Sequence, residues 1–296
     1  MSTLLILSRT LHFGSCLVLL SVFVVRLLIE QPSADDGRAA RRLAALCLAF
    51  AAGSGFLWFW VAAAGMSGSD LKESLNLQLF EMVIGQTPPG QVWLLRCGIA
   101  LLLGALLCFP RGRWRWPAGL ILAAAFAASL AWLGHAGAGE DARRSLMLTA
   151  DSIHLLAAGT WPAGLLPFAL LLRRQVKAGA LPAAHAATRR FSTVSLVTVG
   201  LLAASGLVNA CFLVGSFHAL VATDYGRLLI LKLTLFAITV TLGAWNLLVH
   251  KPRLESSPGA LASMARKVWI EAALGTLIVV VVAIMGTLPP GSSAAG

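Results

Sequence analysis

DSIHLLAAGTWPAGLLPF, residues 151–168, is the stretch from which the fold of this chain can be inferred. It places His154 inside an apolar run with the length and composition of a membrane-spanning helix. Asp151 lies three residues before this histidine and Trp161 seven residues after it, and seven residues make almost two helical turns. All three side chains therefore share one helical face. A polar stripe is costly in hydrocarbon, so this one predicts a functional site.

The composition of the whole chain also predicts a membrane protein. Of its 296 residues, 58% are hydrophobic and 12% are charged, which is about half the charge of a soluble domain. The mean hydropathy is +0.83. Apolar runs long enough to cross about 30 Å of hydrocarbon recur along the chain. We predict an all-α, polytopic membrane protein of eight transmembrane helices, at roughly 4–29, 43–65, 91–109, 117–135, 146–172, 191–214, 226–249 and 267–288.

The basic residues predict the orientation of these spans. The connections after the first, third, fifth and seventh spans, with the adjoining helix ends, hold 16 of the 23 Lys and Arg residues. Because positive charge collects in cytoplasmic loops, both termini are predicted to face outward, into the periplasm of a bacterial inner membrane. The same rule accounts for the net charge of +11 without a nucleic-acid partner.

The chain is predicted to be a single transmembrane domain over residues 1–296, built from two parallel four-helix repeats and a short disordered tail. The repeats cover residues 1–140 and 141–290, and the tail covers 291–296. Residues match in type and spacing between the halves: Thr87, Gly90 and Arg96 with Thr223, Gly226 and Lys232, and His12 with His154. Parallel repeats place a substrate site at their interface. Arg96 and Lys232 have two interpretations, side chains that snorkel outward or side chains that line a polar cavity.

The matched histidines are the candidate metal ligands. His12 and His154 each lie about eight residues, or ~12 Å, into their spans from the outer side. Imidazole and sulfur ligands favour copper over magnesium or calcium. We predict one copper site shared by His12 and His154, with Asp151 orienting the second imidazole. The weaker candidate ligands are Cys16, Met66, His135, Met147, His218 and Met285. The alternative is that each buried histidine only bonds a neighbouring helix.

Further polar and aromatic residues inside the spans have two interpretations each. Trp161 is either a rigid wall over the metal site or ordinary packing. Asn246 and Glu271 lie near the predicted cytoplasmic ends, where a released cation would pass. The alternative is a helix-to-helix hydrogen bond for Asn246 and pairing with a nearby basic residue for Glu271. Pro162 is expected to loosen span five because it removes one backbone hydrogen bond. A short interfacial helix is expected within 66–90.

Four runs in the correct order resemble the copper resistance protein D (CopD) family. They are HLLAAGTWPAGLLPF in span five, RRFSTVSLVTVGLLAASGLVNA in span six, YGRLLILKLTLFAITVTLGAWN followed by HKP in span seven, and WIEAALG in span eight. The resemblance covers about Asp151–Pro290 and is looser over the first half. It implies an inner-membrane protein that moves copper from periplasm to cytoplasm beside a periplasmic copper-binding partner of the CopC type. The family's Trp-x-Gly-Gly stands here as Trp161-Pro162-Ala163-Gly164, which departs by a proline and an alanine, so no precise role of the second glycine is carried over, whereas that of the histidine is.

Copper uptake for copper homeostasis and resistance is therefore the leading functional hypothesis. No ATP-binding motif occurs in the sequence, so transport is expected to be passive or ion-coupled, and no enzymatic activity is predicted. One alternative is a haem b-binding electron carrier, because paired histidines on neighbouring helices also suit axial haem ligation. Another is a factor that delivers copper to another protein without transporting it.

Overall fold

The structure, a computed structural model, describes residues 2–30, 37–109, 112, 114–134, 141–246 and 260–294. These residues form eleven α-helices and no β-strand. The helices are α1 (Ser2–Val24), α2 (Arg38–Ser67), α3 (Leu77–Gln86), α4 (Pro88–Cys108), α5 (Arg115–Ala128), α6 (Asp141–Thr160), α7 (Leu165–Lys177), α8 (Leu181–Leu213), α9 (Phe217–Ala222), α10 (Asp224–Trp245) and α11 (Ala260–Met285). A π-helical turn, Val25–Ile29, extends α1, and a 3-10 turn, Ser129–Leu133, extends α5.

Eight helical segments of the described residues are long and apolar enough to cross a membrane. They confirm the eight predicted spans and the all-α polytopic fold. The sixth begins at Leu181, ten residues before its predicted boundary, because the Ala-rich stretch ahead of the apolar run is a good helix former. An even number of crossings leaves both termini on one side, called the terminal side below. Which compartment this side faces stays a prediction.

Short helices lie on the terminal side before the third and seventh spans. The expected interfacial helix is α3, which ends immediately before α4. The corresponding helix α9 was not predicted, because six residues are too few for a periodic pattern. Thr87 and Thr223 cap the helices that follow, each accepting a hydrogen bond from the amide of a glycine three residues later.

Span five is broken in its middle, at the place where Pro162 was expected only to loosen it. Helix α6 ends at Thr160, a turn follows, and α7 begins at Leu165. Pro162 has no amide hydrogen, and the amide of Ala163 instead donates to the carbonyl of Ala158 at 3.0 Å. A side chain at Gly164 would collide with the carbonyl oxygen of Thr160. The turn therefore requires glycine at this position.

Helix α1 lies between the two predicted halves. It packs against α2 and α5 on one side and against α6, α7 and α11 on the other. Of its apolar window 67% is buried, against 17% for α8 and α10, whose leucines face outward as a lipid-exposed surface does. Gly159 permits the close approach of α6, since a Cβ there would lie 2.7 Å from the side chain of Leu20.

Part of the tail for which disorder was predicted has regular structure. Gly291–Ala294 form one 3-10 turn. Gly291 is buried, and a Cβ there would lie 3.3 Å from the Thr223 hydroxyl and 3.6 Å from the Ala219 side chain. This segment contacts α9 and the start of α10, and the disorder of the tail stays a prediction.

Candidate metal site

His12 is buried between α1, α2 and α4. Its side chain is 1% exposed, and its Nδ1 lies 2.9 Å from the carbonyl oxygen of Ala51 on α2. A carbonyl can only accept, so Nδ1 carries the proton and the lone pair is on Nε2. The Sγ atom of Cys16, one turn later on α1, lies 3.7 Å from that Nε2. A nitrogen and a sulfur donor therefore face the same point.

Arg96 occupies the position in front of this nitrogen. Its Nη2 donates to Nε2 of His12 at 2.6 Å and to Sγ of Cys16 at 3.3 Å. Its Nη1 donates to the carbonyl of Phe126 and to the hydroxyl of Ser129. The side chain is 1% exposed. The snorkelling interpretation of Arg96 is therefore wrong, because four acceptors inside the bundle compensate the guanidinium better than a distant interface could.

Aromatic side chains pack around the ring of His12, and a glycine on the neighbouring helix leaves space for it. Trp58 and Trp93 lie 5.5 and 5.2 Å from it between ring centroids. Gly55 on α2 gives the ring its space, since a Cβ there would lie 2.8 Å from Cε1 of His12. These contacts leave the imidazole little freedom to rotate.

His154 has a similar environment in the second half. Its Nδ1 pairs with the hydroxyl of Ser205 on α8 at 3.1 Å, and Nζ of Lys232 on α10 donates to its Nε2 at 3.3 Å. A Cβ at Gly206 would lie 3.2 Å from the ring. Lys232 therefore lines a polar cluster, as the second of its two interpretations had it.

The matched contacts give the sequence repeat a physical meaning. In each half, a histidine on the first helix lies against a glycine on the second helix and a cation on the third: His12, Gly55 and Arg96, then His154, Gly206 and Lys232. In each half, a threonine caps the start of the helix that carries the cation. The repeat itself stays a prediction, which these contacts support.

The two clusters differ in charge. Asp151 occupies the position that Arg9 has in the first half, three residues before the histidine. It accepts a hydrogen bond from Asn209 at 3.1 Å and interacts electrostatically with Lys232. Arg9 lies 4.6 Å above the ring of Trp58. The first half therefore buries two cations beside a thiol, and the second buries a cation beside a carboxylate.

The described contacts do not bring His12 and His154 together. Both ring nitrogens of each histidine have partners within their own half. The two parent helices α1 and α6 pack against each other, and each histidine points to other helices. The single shared site stays a prediction, and the geometry favours two separate ones.

The neighbours of His154 along α6 have other contacts than those predicted. Among the described contacts, Asp151 bonds Asn209 and not the imidazole, which Ser205 orients instead. Trp161 is 4% exposed and packs edge-on against Phe236 at 5.9 Å, farther along the membrane normal than His154. The amide of Trp161 still donates to the carbonyl of Ala157 at 3.0 Å, so the residue continues the last turn of α6, and the face shared with His154 stays a prediction.

Within the described part of the chain, Cys16 is the one weaker candidate that contacts either histidine. Met66 and His218 are exposed, Met147 is half-buried on α6, and Met285 is packed with Val214 and Tyr225. His135 lies outside the described residues. Among the residues that the structure describes, no group of three or more His, Cys, Asp or Glu side chains is arranged to hold a metal.

Asn246 and Glu271 pair on the side opposite to the termini. The amide of Asn246 donates to a carboxylate oxygen of Glu271, and the two side chains are 5% and 3% exposed. This contact is the interhelical hydrogen bond that was one of the two interpretations of Asn246.

Ser205, Gly55 and Gly206 are site residues that the sequence did not reveal. Glycine and serine are common in transmembrane helices, and nothing in their own positions marks these three. The signal that was available is the repeated Thr-x-x-Gly-x5-Arg/Lys spacing, which selects Arg96 and Lys232 but not the atoms they contact.

Family models match both halves of this chain. The model described as copper resistance protein D-like, N-terminal domain, matches residues 1–145, and the model described as copper resistance protein D matches residues 185–285. No solved structure matches the chain.

Three curated proteins are similar to it. The chain is 34% identical over 224 residues to copper resistance protein D of Pseudomonas syringae pv. tomato, covering 71% of each. It is 28% identical over 211 residues to the copper transport protein CutJ of Bacillus subtilis (strain 168), covering 69% of this chain and 37% of that protein. It is 31% identical over 230 residues to the inner membrane protein YebZ of Escherichia coli (strain K12), covering 76% and 77%.

Proposed function

Because the chain belongs to the copper resistance protein D family, we propose that it carries copper across the bacterial inner membrane, from the periplasm to the cytoplasm. Family membership and the eight apolar spans support copper handling by a multi-pass membrane protein. The direction, the ligands and the route belong to the proposal.

The observation that carries the proposal is the convergence of His12 Nε2 and Cys16 Sγ at Arg96. The two donor atoms are 3.7 Å apart. Bonds of about 2.0 Å to nitrogen and 2.3 Å to sulfur, as at zinc sites, allow one ion to bridge that distance. An imidazole and a thiolate suit a cuprous ion, which prefers soft ligands. The guanidinium of Arg96 would compensate the thiolate when no metal is bound.

Copper binding at His12 requires Arg96 to leave the imidazole. A lone pair that accepts from Nη2 cannot also coordinate a metal. The same holds for His154, whose lone pair accepts from Lys232. In each half, a copper ion must therefore displace a basic side chain from the imidazole. Because this side chain competes with copper, the ion is bound weakly enough to be passed on. On the predicted orientation both clusters lie in the periplasmic half of the membrane, where a copper-binding protein of the CopC type would supply the ion.

Copper content and copper uptake of defined variants test this proposal. The purified protein is loaded with cuprous ion under reducing conditions and is also reconstituted into liposomes. His12→Ala and Cys16→Ser are expected to lose bound copper, and His154→Ala to lose uptake at least tenfold. His185→Ala and Cys108→Ser, which change the same residue types elsewhere, serve as controls and are expected to behave like the wild type.

Each competing function has its own result in these assays. Copper binding and uptake that are unchanged in the three site variants would contradict the proposed ligands. Copper binding without uptake by the wild type would indicate a delivery factor. A stoichiometric Soret band in the purified protein would indicate a haem-bearing electron carrier and overturn the copper proposal.

A further inference from the structure

A cavity of about 140 Å³ lies on the side of the membrane opposite to the two histidine clusters. It is bordered by the broken region of span five and by α8, α10 and α11. Its walls are mostly apolar, with Trp161 at the turn between α6 and α7 and Met264 on α11. Its polar lining includes Asn246, Glu271 and Ser195. Discontinuous transmembrane helices commonly border substrate and ion sites in transporters.

Asn246 leaves an acceptor unused in this cavity. Its amide nitrogen donates to Glu271, whereas its buried Oδ1 has no hydrogen-bond partner among the residues that the structure describes. A buried carbonyl oxygen without a donor costs about 1–3 kcal/mol. Lys267, one turn before Glu271, borders a neighbouring cavity that also contacts Asn246. A cation in the main cavity would satisfy Oδ1 and add to the compensation of the Glu271 carboxylate.

The other side chains of the cavity favour a soft cation. Met264 precedes Glu271 by seven residues, so both occupy one face of α11, and its thioether is 5% exposed. A thioether is a ligand for cuprous copper and a poor one for sodium or magnesium. The indole of Trp161 also lines the cavity, and aromatic rings attract cations in desolvated surroundings.

We propose that this cavity is an inner relay site, at which a cuprous ion released from the histidine clusters contacts Met264, Glu271 and Asn246 before it reaches the cytoplasm. The inference rests on the proposed function. One thioether and one carboxylate bind copper more weakly than the imidazole and thiolate of His12 and Cys16. The ion therefore stays only briefly, as an exit step requires.

Variants of the cavity separate release from capture. Met264→Leu and Glu271→Gln are expected to keep the copper bound at His12 and Cys16 and to lower uptake into liposomes about tenfold. Met82→Leu and Glu81→Gln, which make the same changes on the peripheral helix α3, are the matched controls. Wild-type uptake in both cavity variants would overturn the relay site. A loss in Glu271→Gln alone would overturn it as well, since it would assign proton transfer to the carboxylate.

A binding measurement keeps the inference testable if the protein proves not to transport. In the His12→Ala, His154→Ala background, titration with cuprous ion is expected to reveal one residual weak site. Adding Met264→Leu is expected to remove it without changing the elution volume or the helical circular dichroism. A residual site that survives Met264→Leu would contradict the inference. Failure of wild-type uptake contradicts only the proposed function.

Discussion

Burying a guanidinium in a membrane protein costs free energy. The acceptors that compensate Arg96 carry no formal charge, with the exception of Cys16 when it is a thiolate. An arginine at the centre of a transmembrane helix costs about 2.5–3.5 kcal/mol. No ion pair recorded for the described residues includes Arg96, which instead bonds His12, Cys16, Phe126 and Ser129. Because no ion pair among the described residues holds it, the guanidinium can be displaced by another cation, as the proposed exchange with copper requires.

Replacing Arg96 with glutamine is expected to tighten copper binding. The tethered cation no longer competes for the lone pair of His12, so the dissociation constant for cuprous ion falls about tenfold, or ~1.4 kcal/mol. Competition with a chromophoric cuprous chelator measures this change. Arg96→Lys, which keeps the charge, is expected to lie closer to the wild type.

Arg227→Gln is the control for this substitution, because Arg227 is exposed and contacts only its own neighbourhood, pairing with Asp224 and donating to the carbonyl of Val221. Weaker copper binding in Arg96→Gln, with the protein still folded, would show that the guanidinium supports the metal site and does not compete with it.

Gly55 tests how closely the ring of His12 must be held. A Cβ at this position would lie 2.8 Å from the imidazole, so Gly55→Ala is expected to displace the ring and weaken copper binding at least tenfold. Gly53→Ala, two residues earlier on the same helix, has open space around its Cβ and is expected to leave binding unchanged. Equal copper affinities of the two variants would refute the tight packing of the ring.

At the scale of the helices, a threonine and a glycine set the position of each buried cation. The hydroxyl of Thr87 caps α4 and also donates to the carbonyl of Val83, and that of Thr223 caps α10 and donates to Ala219. Gly90 and Gly226 lie directly against carbonyl oxygens of the preceding short helices. The tight turn therefore fixes where each following helix starts and, six residues later, where its basic side chain lies.

Alanine at either glycine is expected to force the short helix away from the helix that follows. Gly90→Ala and Gly226→Ala would each place a Cβ into backbone atoms, an overpacking that costs about 1–3 kcal/mol. Thermal unfolding in detergent measures the cost, and copper uptake is expected to fall with it. Gly98→Ala on α4, which meets no atom within 4 Å, should unfold at the wild-type temperature. A normal melting temperature of both turn variants would count against this role of the turns.

At the scale of the whole molecule, α1 packs against helices of both predicted halves. It contributes His12 to the first cluster, and directly after its π-helical extension Glu30 forms ion pairs with Arg26 and with Arg174 of α7. Glu30 is 8% exposed, so this contact is partly shielded from water. The proposed periplasmic capture and cytoplasmic release thus take place at opposite ends of a bundle organised around one helix.

The predicted orientation is tested by fusions at the C-terminus. If the basic connections are cytoplasmic, a C-terminal alkaline phosphatase fusion is active and a fluorescent protein that matures only in the cytoplasm stays dark. A fusion placed after α7, at Gly179, should give the opposite pair of results. The reverse pattern at both positions would invert the proposed direction of copper movement.

The sequence by itself determined the number of spans, the helical class and the matched histidines, because length, hydropathy and spacing are local properties of the chain. It also predicted a weakened helix at Pro162, where the structure has a break, since a missing amide hydrogen acts on its own helix. Only the tertiary structure decided that Arg96 and Lys232 cover the two imidazoles, and that Trp161 belongs to the inner cavity with Met264. Those contacts depend on which faces of separate helices meet, and helix packing, not periodicity within one helix, sets that choice.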